Sequence, residues 1–310
     1  MTRRNELPQE LAGGPFDVRD ALKLGVKATR LGGKDLLRPY RGVRVPAASA
    51  ADLRSRCHAY QCRMPPHQVF SHVTAALLYG IPLPWRLQTD PRLHVLVHEV
   101  RCSPRMAGVV GHQSQDSPAS GRLIDGLPVT SPVSTWMQLG AVLTERELIA
   151  AGDYLVSTTL ERPVPLATLQ ELRDSVAAGK RHRGIRRLRN ALPRVRTGVE
   201  SPKETEVRLI VVDAGLPEPV TNFTIRDSAG HHVARIDLAF LDYRVGLDYE
   251  GDVHRLDLRQ FRKDITRVED VRDLDWRLIR LTADDLAAGG RTVVARTERN
   301  LRARGWRPAR

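Results

Sequence analysis

The sequence has little that would staple it or anchor it. Its three cysteines in 310 residues, Cys57, Cys62 and Cys102, are an odd number with no Cys-x-x-Cys spacing. A disulfide framework and a structural zinc site are both disfavoured, and a reducing cytoplasm is the expected setting. No apolar run approaches the roughly 20 residues that cross a bilayer, and the opening MTRRNELPQE lacks a signal peptide's apolar segment. A cytoplasmic protein without a membrane partner is expected. There is no internal repeat. Acid is in deficit: 49 Lys and Arg face 36 Asp and Glu, for a net charge of +13 and a pI near 10.3. Such an excess favours polyanionic partners, DNA first, although a GC-rich genome also enriches arginine.

What is present is an ordinary globular composition, 41% apolar and 27% charged, in a chain too long for one small core. The fold class expected is multidomain, α/β and α+β. Residues 1–50 form a first unit: FDVRDALKLGV carries Val18, Ala21, Leu22 and Leu24 at helical spacing and stops at Gly25. KATRL follows as a second short helical piece, broken at Gly32-Gly33, and LLRPYRGVRVP reads as a basic hairpin. Helix, turn, helix and basic strand suggest a winged-helix-like DNA-binding unit, with Arg41 and Arg44 toward phosphate. Any small α+β domain also produces this pattern.

Residues 51–179 read as an α+β middle domain. Ser71 caps a helix that Gly80 ends, LHVLVHEV alternates as a strand, and Ser131-Pro132 opens a further helix. His72, His98 and His112 lie here and are expected to be structural, hydrogen-bonded histidines. Residues 180–199 read as a basic linker helix. KRHRGIRRLRNALPRVR holds eight Lys or Arg and no acid. Lys180, Arg181, Arg183, Arg186, Arg187 and Arg189 make an electrostatic footprint for phosphate, which supplies affinity without sequence specificity.

Residues 200–310 are the sharpest part. Ser201, Pro202 and Glu204 start a helix with a capping box, and Val207, Ile210, Val211 and Ala214 recur at core spacing. Glu204 also lies on the side that faces the sheet, within reach of a site at its edge. VTNFTI, HVARIDLAF and YRVGLDYE follow as strands, the last two joined tightly enough to pair as a hairpin. Alternation puts Ala234, Ile236, Leu238 and Phe240 on one face, leaving Asp237 on the other beside Asp248 and Glu250. Three carboxylates on one face need a cation between them, and Mg²⁺, or Mn²⁺, is the simplest candidate. Gly251 would let a phosphate approach closely, and His254 could orient a water or donate to a phosphate. A helix from about Asp257 to Leu274, with a stripe of Leu258, Phe261, Ile265 and Val268, and a last strand WRLIRL complete the order α-β-β-β-α-β.

That order, the helical SPKET, the RID of strand two and DYEGDVH ten residues on resemble the PD-(D/E)XK nuclease superfamily. Within it, the nearest likeness is the very-short-patch-repair-like group that includes domain of unknown function 559. The resemblance covers residues 200 to about 286, through Asp237, Asp248-Tyr249-Glu250-Gly251, His254, Asp264-Ile265-Thr266-Arg267 and Asp275-Trp276. The front of the chain resembles the winged-helix segment of type IV abortive-infection antitoxins. Together they imply a restriction-endonuclease-like core and metal-assisted hydrolysis of DNA phosphodiesters in repair or phage defence.

In that reading Asp237, Asp248 and Glu250 hold the metal, Glu204 orients water and His254 moves a proton, with Ser201, Gly251, Lys263, Asp264 and Arg267 in support. The chain departs from the pattern in two places. The order Glu-x-Asp is reversed as Asp248-x-Glu250, and Glu250 stands where the superfamily has lysine, with His254 or Lys263 as replacement donors. A catalytically silent DNA-binding regulator of antitoxin type is the alternative. A homodimer, or a toxin or other protein partner, is compatible with either.

Overall fold

The computed structural model describes residues 6–47, 52–98, 103–114, 121–250 and 269–308. The chain is a mixed α/β protein with several sheets in two compact units: residues 1–142 with 182–184, and residues 143–181 with 185–310. Among the described residues no helix is long and apolar enough to cross a membrane.

The first unit opens with helix α1 (Gln9–Ala12), strand β1 (Phe16–Asp17), helix α2 (Val18–Lys23) and one 3-10 turn, Arg30–Gly32. Strands β2 (Leu36–Leu37) and β3 (Val43–Pro46) then pair antiparallel as the expected hairpin, and β1 joins the far edge of β3. Asp17 caps α2, its side chain accepting from Arg19 N at 2.7 Å. The core is Leu11, Phe16, Ala21, Val26, Leu31 and Leu36. Leu22 and Leu24, expected inside, are about half exposed, because α2 is under two turns long and presents only Ala21 fully inward.

The rest of this unit is a five-stranded sheet ordered β6-β5-β4-β8-β7. Its strands are β4 (Gln68–Phe70), β5 (Leu93–His98), β6 (Val109–Ser114), β7 (Arg122–Ile124) and β8 (Leu127–Val129). Helices α3 (Leu53–Gln61), α4 (His72–Leu78), α5 (Trp85–Gln88) and α6 (Pro132–Leu139) accompany it. Ser131 caps α6 as expected, accepting from Ser134 N at 3.1 Å. Cys57 is buried, and Cys57 and Cys62 are both free thiols.

The second unit holds helices α7 (Glu145–Val156), α8 (Leu169–Ala178), α9 (Ile185–Ala191) and α10 (Pro202–Asp213). Strands β9 (Val220–Arg226), β10 (His232–Phe240), β11 (Val245–Tyr249) and β12 (Arg277–Leu281) form one sheet ordered β12-β11-β10-β9. β9, β10 and β11 run antiparallel, and β12 lies parallel to β11. Residues 269–273 are helical, and helix α11 (Ala283–Ala303) breaks at residues 287–290. Val207, Ile210 and Val211 of α10 pack with Leu238, Phe240, Val245 and Leu247 of the sheet. Ala214, expected in that stripe, is exposed at the helix's C-terminal cap.

One charged pair joins α7 to α10. Asp153 is fully buried and Arg208 is 1% exposed. Arg208 Nη2 donates to Asp153 Oδ2 at 2.8 Å and to Arg194 O at 2.9 Å, while Thr205 Oγ1 and Arg196 N donate to the same carboxylate at 2.8 and 2.7 Å. Burial pushes the Asp153 carboxyl up, and Arg208 pulls it the other way. Arg208 Nη1 also donates to Glu218 Oε1 at 3.2 Å, so Asp153→Ala removes the buried partner and leaves the half-exposed one; a loss of about 2–4 kcal/mol in urea unfolding is expected. The double variant Asp153→Leu with Arg208→Met should lose less than either single change. A loss below about 1 kcal/mol in Asp153→Ala would mean that the helices are held by apolar packing alone.

Candidate functional site

The β10–β11 register pairs Leu238 with Leu247 and Ala239 with Gly246, and one step further sets Asp237 opposite Asp248. The hydrogen bonds follow that geometry: Asp237 N donates to Asp248 Oδ1 at 3.1 Å, and Tyr249 N donates to Asp237 Oδ2 at 2.8 Å. On one side, β9 pairs Phe223 with Ile236 and Thr221 with Leu238, bringing Asn222 level with Asp237. On the other, parallel β12 sets Arg280 beside Asp248. Asn222, Asp237, Asp248 and Arg280 therefore form one row across four strands.

Glu204, 6% exposed on the first turn of α10, joins the row through Asn222. Its Oε2 accepts from Asn222 Nδ2 at 2.8 Å and from Glu200 N at 3.0 Å. Burial raises its pKa above the ordinary glutamate value, with the amide donors opposing. The expected capping box is half present. Ser201 Oγ accepts from Glu204 N at 3.2 Å, but the Glu204 carboxylate turns to Glu200 N and Asn222.

Glu250 pairs with Arg280, Oε1 to Nε at 3.0 Å, and so carries a local counter-charge. Glu200 pairs with Arg235. Among the described residues no three of His, Cys, Asp and Glu group as metal ligands, so the adjoining oxygen donors are the pair Asp237 and Asp248. Gly251, His254, Lys263, Asp264 and Arg267, with the stripe Leu258, Phe261, Ile265 and Val268, lie outside the described residues.

One expectation about facing does not hold. Ala234 and Ile236 do not share the cluster of Leu238 and Phe240, but pack with Val271, Leu274 and Leu278. A Cβ on Gly246 would lie 2.8 Å from Ile236, so the glycine makes room for that side chain. The change falls beside Asn222, whose left-handed backbone (φ 48) breaks the regular pleat of β9.

The basic residues separate by role. Lys180, Arg181, Arg183, Arg186, Arg187 and Arg189 are all exposed, but they do not lie on one helix. Helix begins only at Ile185, because Gly184 has φ +87 and a Cβ there would sit 2.1 Å from Gly140 O. Arg41 is exposed. Arg44 is half-buried, donating through Nε to Leu31 O at 2.7 Å and through Nη1 to Val43 O at 2.9 Å, so it braces its own subdomain.

A second constellation escaped the sequence. His72 and His112 stack with ring centroids 3.5 Å apart, and His94 Nδ1 lies 2.9 Å from His112 Nε2. His72 has a left-handed backbone (φ 48), its N–H donates to Gln138 Oε1 at 2.8 Å, and its Nδ1 lies 3.0 Å from Ser71 Oγ. The only available signal was alternation in LHVLVHEV, which does not say which residue on the next strand will stand beside His94.

The fold and the site thus define a two-unit α/β protein with an acidic row across its C-terminal sheet. The chain is 30% identical over 257 residues to "Uncharacterized protein MT2308" of Mycobacterium tuberculosis (strain CDC 1551 / Oshkosh), covering 83% of this chain and 90% of that one. The same figures hold for "Uncharacterized protein Rv2248" of Mycobacterium tuberculosis (strain ATCC 25618 / H37Rv). The chain belongs to the family of these mycobacterial proteins. No family model matches it, and no solved structure does.

The histidine stack has a pH signature. Burial, then the neighbouring His112, His94 and His182, pull His72 down to about 2. Burial, then His94 and Arg183, pull His112 down to about 4. His94 is lowered by burial, with Asp90 opposing and Arg92 assisting. A depressed histidine favours the folded state while neutral. Its contribution is complete above the unfolded value of 6.5 and is lost as pH falls from there toward the folded values. The melting temperature should fall between pH 6.5 and 5, with a slope of up to about 1.4 kcal/mol per pH unit for each histidine titrating. His112→Gln should flatten that slope; an unchanged slope would assign the acid loss to other groups.

Proposed function

We propose that this protein is a metal-dependent endonuclease acting on DNA phosphodiesters, with a restriction-endonuclease-like core in its C-terminal unit. The observation that carries the reading is the juxtaposition of Asp237 and Asp248 on adjacent strands, in a row with Asn222 and Arg280. Two oxygen-donor carboxylates suit Mg²⁺ or Mn²⁺, hard cations that take one or two carboxylates and fill their shell with water and phosphate oxygens. Bound there, the ion would supply an acidified water and neutralise charge on the phosphate.

The chain's own residues do the remainder. Asp237 and Asp248 would hold the ion. Glu204 keeps Asn222 in position beside them. Arg280 brings a guanidinium to the edge of the row, where Glu250 stands in place of the superfamily's lysine, and offers positive charge to a developing oxyanion. His254 would move the proton at the leaving or attacking oxygen. The exposed arginines of 180–189 would hold backbone phosphates. The order α1, β1, α2, a 3-10 turn, β2 and β3 supports a winged-helix reading of the first 50 residues.

A second reading, a catalytically silent DNA-binding regulator, is favoured by one observation. The Glu250–Arg280 ion pair gives the row an internal cation that needs no metal. Supercoiled plasmid in Mg²⁺ or Mn²⁺ separates the two. Asp237→Asn is the informative variant, because an amide oxygen can still accept from Tyr249 N. Wild type should nick the plasmid and Asp237→Asn should lose at least a hundredfold in rate. Millimolar Mg²⁺ should raise the melting temperature of wild type but not of the variant. Cleavage seen only in Glu250→Lys would establish the silent regulator on a preserved scaffold, and unchanged cleavage in Asp237→Asn would remove the site from the reaction.

A further inference from the structure

A second basic surface, in the first unit, belongs neither to the acidic row nor to the 180–189 segment. A cavity of about 470 Å³ opens between the turn after β2, the end of α3 and the segment before β6, with Arg19, Arg41, Arg63 and Arg105 around it. That volume suits a mononucleotide. No acidic residue lines it among the described residues. Tyr40 and Tyr60, 8% and 5% exposed, form wall, their rings edge to face with centroids 5.4 Å apart. Tyr60 Oη donates to Gln68 Oε1 at 2.8 Å, which fixes that ring.

One of the four arginines is built into the wall. Arg63 Nη1 donates to Arg41 O at 3.3 Å, and Arg63 Nε lies 3.4 Å from Asp17 Oδ2. Its guanidinium occupies the space beside Gly42 (φ +80), where a Cβ would come within 2.1 Å of Nη1. The left-handed backbone is what calls for glycine at position 42. The guanidinium groups of Arg19, Arg41 and Arg105 make no ion pair among the described residues, and all three side chains are exposed.

Asp17 balances Arg63, which leaves the positive charges of Arg19, Arg41 and Arg105 on residues that line one cavity. A single phosphate monoester brings at most two negative charges, so the charge count calls for several linked phosphates. We propose that this cavity binds a nucleotide carrying several phosphates, with Arg19, Arg41 and Arg105 on the phosphate oxygens, Arg63 as the fixed anchor and the tyrosine wall against sugar or base. Guanidinium is suited to the task because its planar fork matches phosphate oxygens and it stays charged at any working pH. Two sources share this chemistry, a free nucleoside triphosphate and consecutive phosphates of a nucleic-acid strand. The site is separate from the Asp237–Asp248 pair and stands or falls independently of it.

Calorimetric titration of the full chain in low salt without divalent metal tests this with three probes: ATP, AMP and a pentathymidylate. Saturable binding of ATP, stronger than that of AMP and weakened at least tenfold in Arg41→Ala and in Arg105→Ala, would establish the site with a free nucleotide as ligand. Binding of the pentathymidylate with the same dependence on Arg41 and Arg105, and none of ATP, would establish it with a strand as ligand. No saturable binding of any probe, or equal affinity in the Arg19→Ala, Arg41→Ala, Arg105→Ala triple variant, would overturn it. Both arginine side chains are exposed, so folding should be unaffected, and unchanged melting temperatures check this. Asp237→Asn should bind as wild type does, which keeps a failed nuclease reading distinct from a failed nucleotide site.

Discussion

The buried pair of Asp153 and Arg208 is the constraint on which the C-terminal unit rests. A carboxylate and a guanidinium removed from water cost free energy unless they pair with each other and with further hydrogen-bonding groups, and among the described residues only Arg208 Nε of this pair is left without a partner. Here the carboxylate also takes the Thr205 hydroxyl and the Arg196 amide, and the guanidinium also reaches Arg194 O. Three pieces of chain, α7, the 194–196 segment and α10, are therefore tied at one point. Glu204 stands one turn before Arg208 on the same helix, so the fixing of α10 also fixes what Glu204 can touch. The acidic row is thus held from a distance, through a helix whose position is set by an unrelated ion pair.

The row itself balances opposing charges. Asp237 and Asp248 each accept from a backbone N–H on the opposite strand, which relieves part of the repulsion between two carboxylates on adjacent strands. Glu250 finds Arg280 at the next step. The histidine stack in the first unit solves a similar problem differently, since burial and mutual proximity lower the pKa of all three imidazoles and favour their neutral forms. Each cluster is satisfied by its own local means, the row by strand amides and the Arg280 guanidinium, the stack by burial of neutral rings.

Much of this was legible in the residues. SPKETEVRLIVVDAGLP is punctuated at both ends and became α10 within its caps; YRVGLDYE and HVARIDLAF alternate and became a paired hairpin. The placement of Asp237 beside Asp248 followed from a short connection and a period of two. What was not legible depends on contacts between distant segments. Arg208 looks like one more basic residue until Asp153, 55 positions earlier, is brought against it. His94 and His112 meet only because β6 lies parallel to β5, and no local pattern specifies that neighbour. Ile236 changed company at the level where Asn222, on the neighbouring strand, has a left-handed backbone, and nothing in the local sequence marks that residue. The pocket of arginines likewise gathers residues spread from 19 to 105.

The parallel placement of β12 against β11 has a consequence for the order of assembly. β10 and β11 are joined by one short 3-10 turn, so their pairing closes only a small loop. β12 begins 28 residues after β11 ends and must return in the same direction, a crossover that closes far more slowly than a hairpin. Loop closure alone therefore favours pairing of Asp237 with Asp248 ahead of the docking of Arg280. The strand that brings a cation to the row, through the Glu250–Arg280 pair, is thus also the strand of this sheet whose placement closes the longest loop.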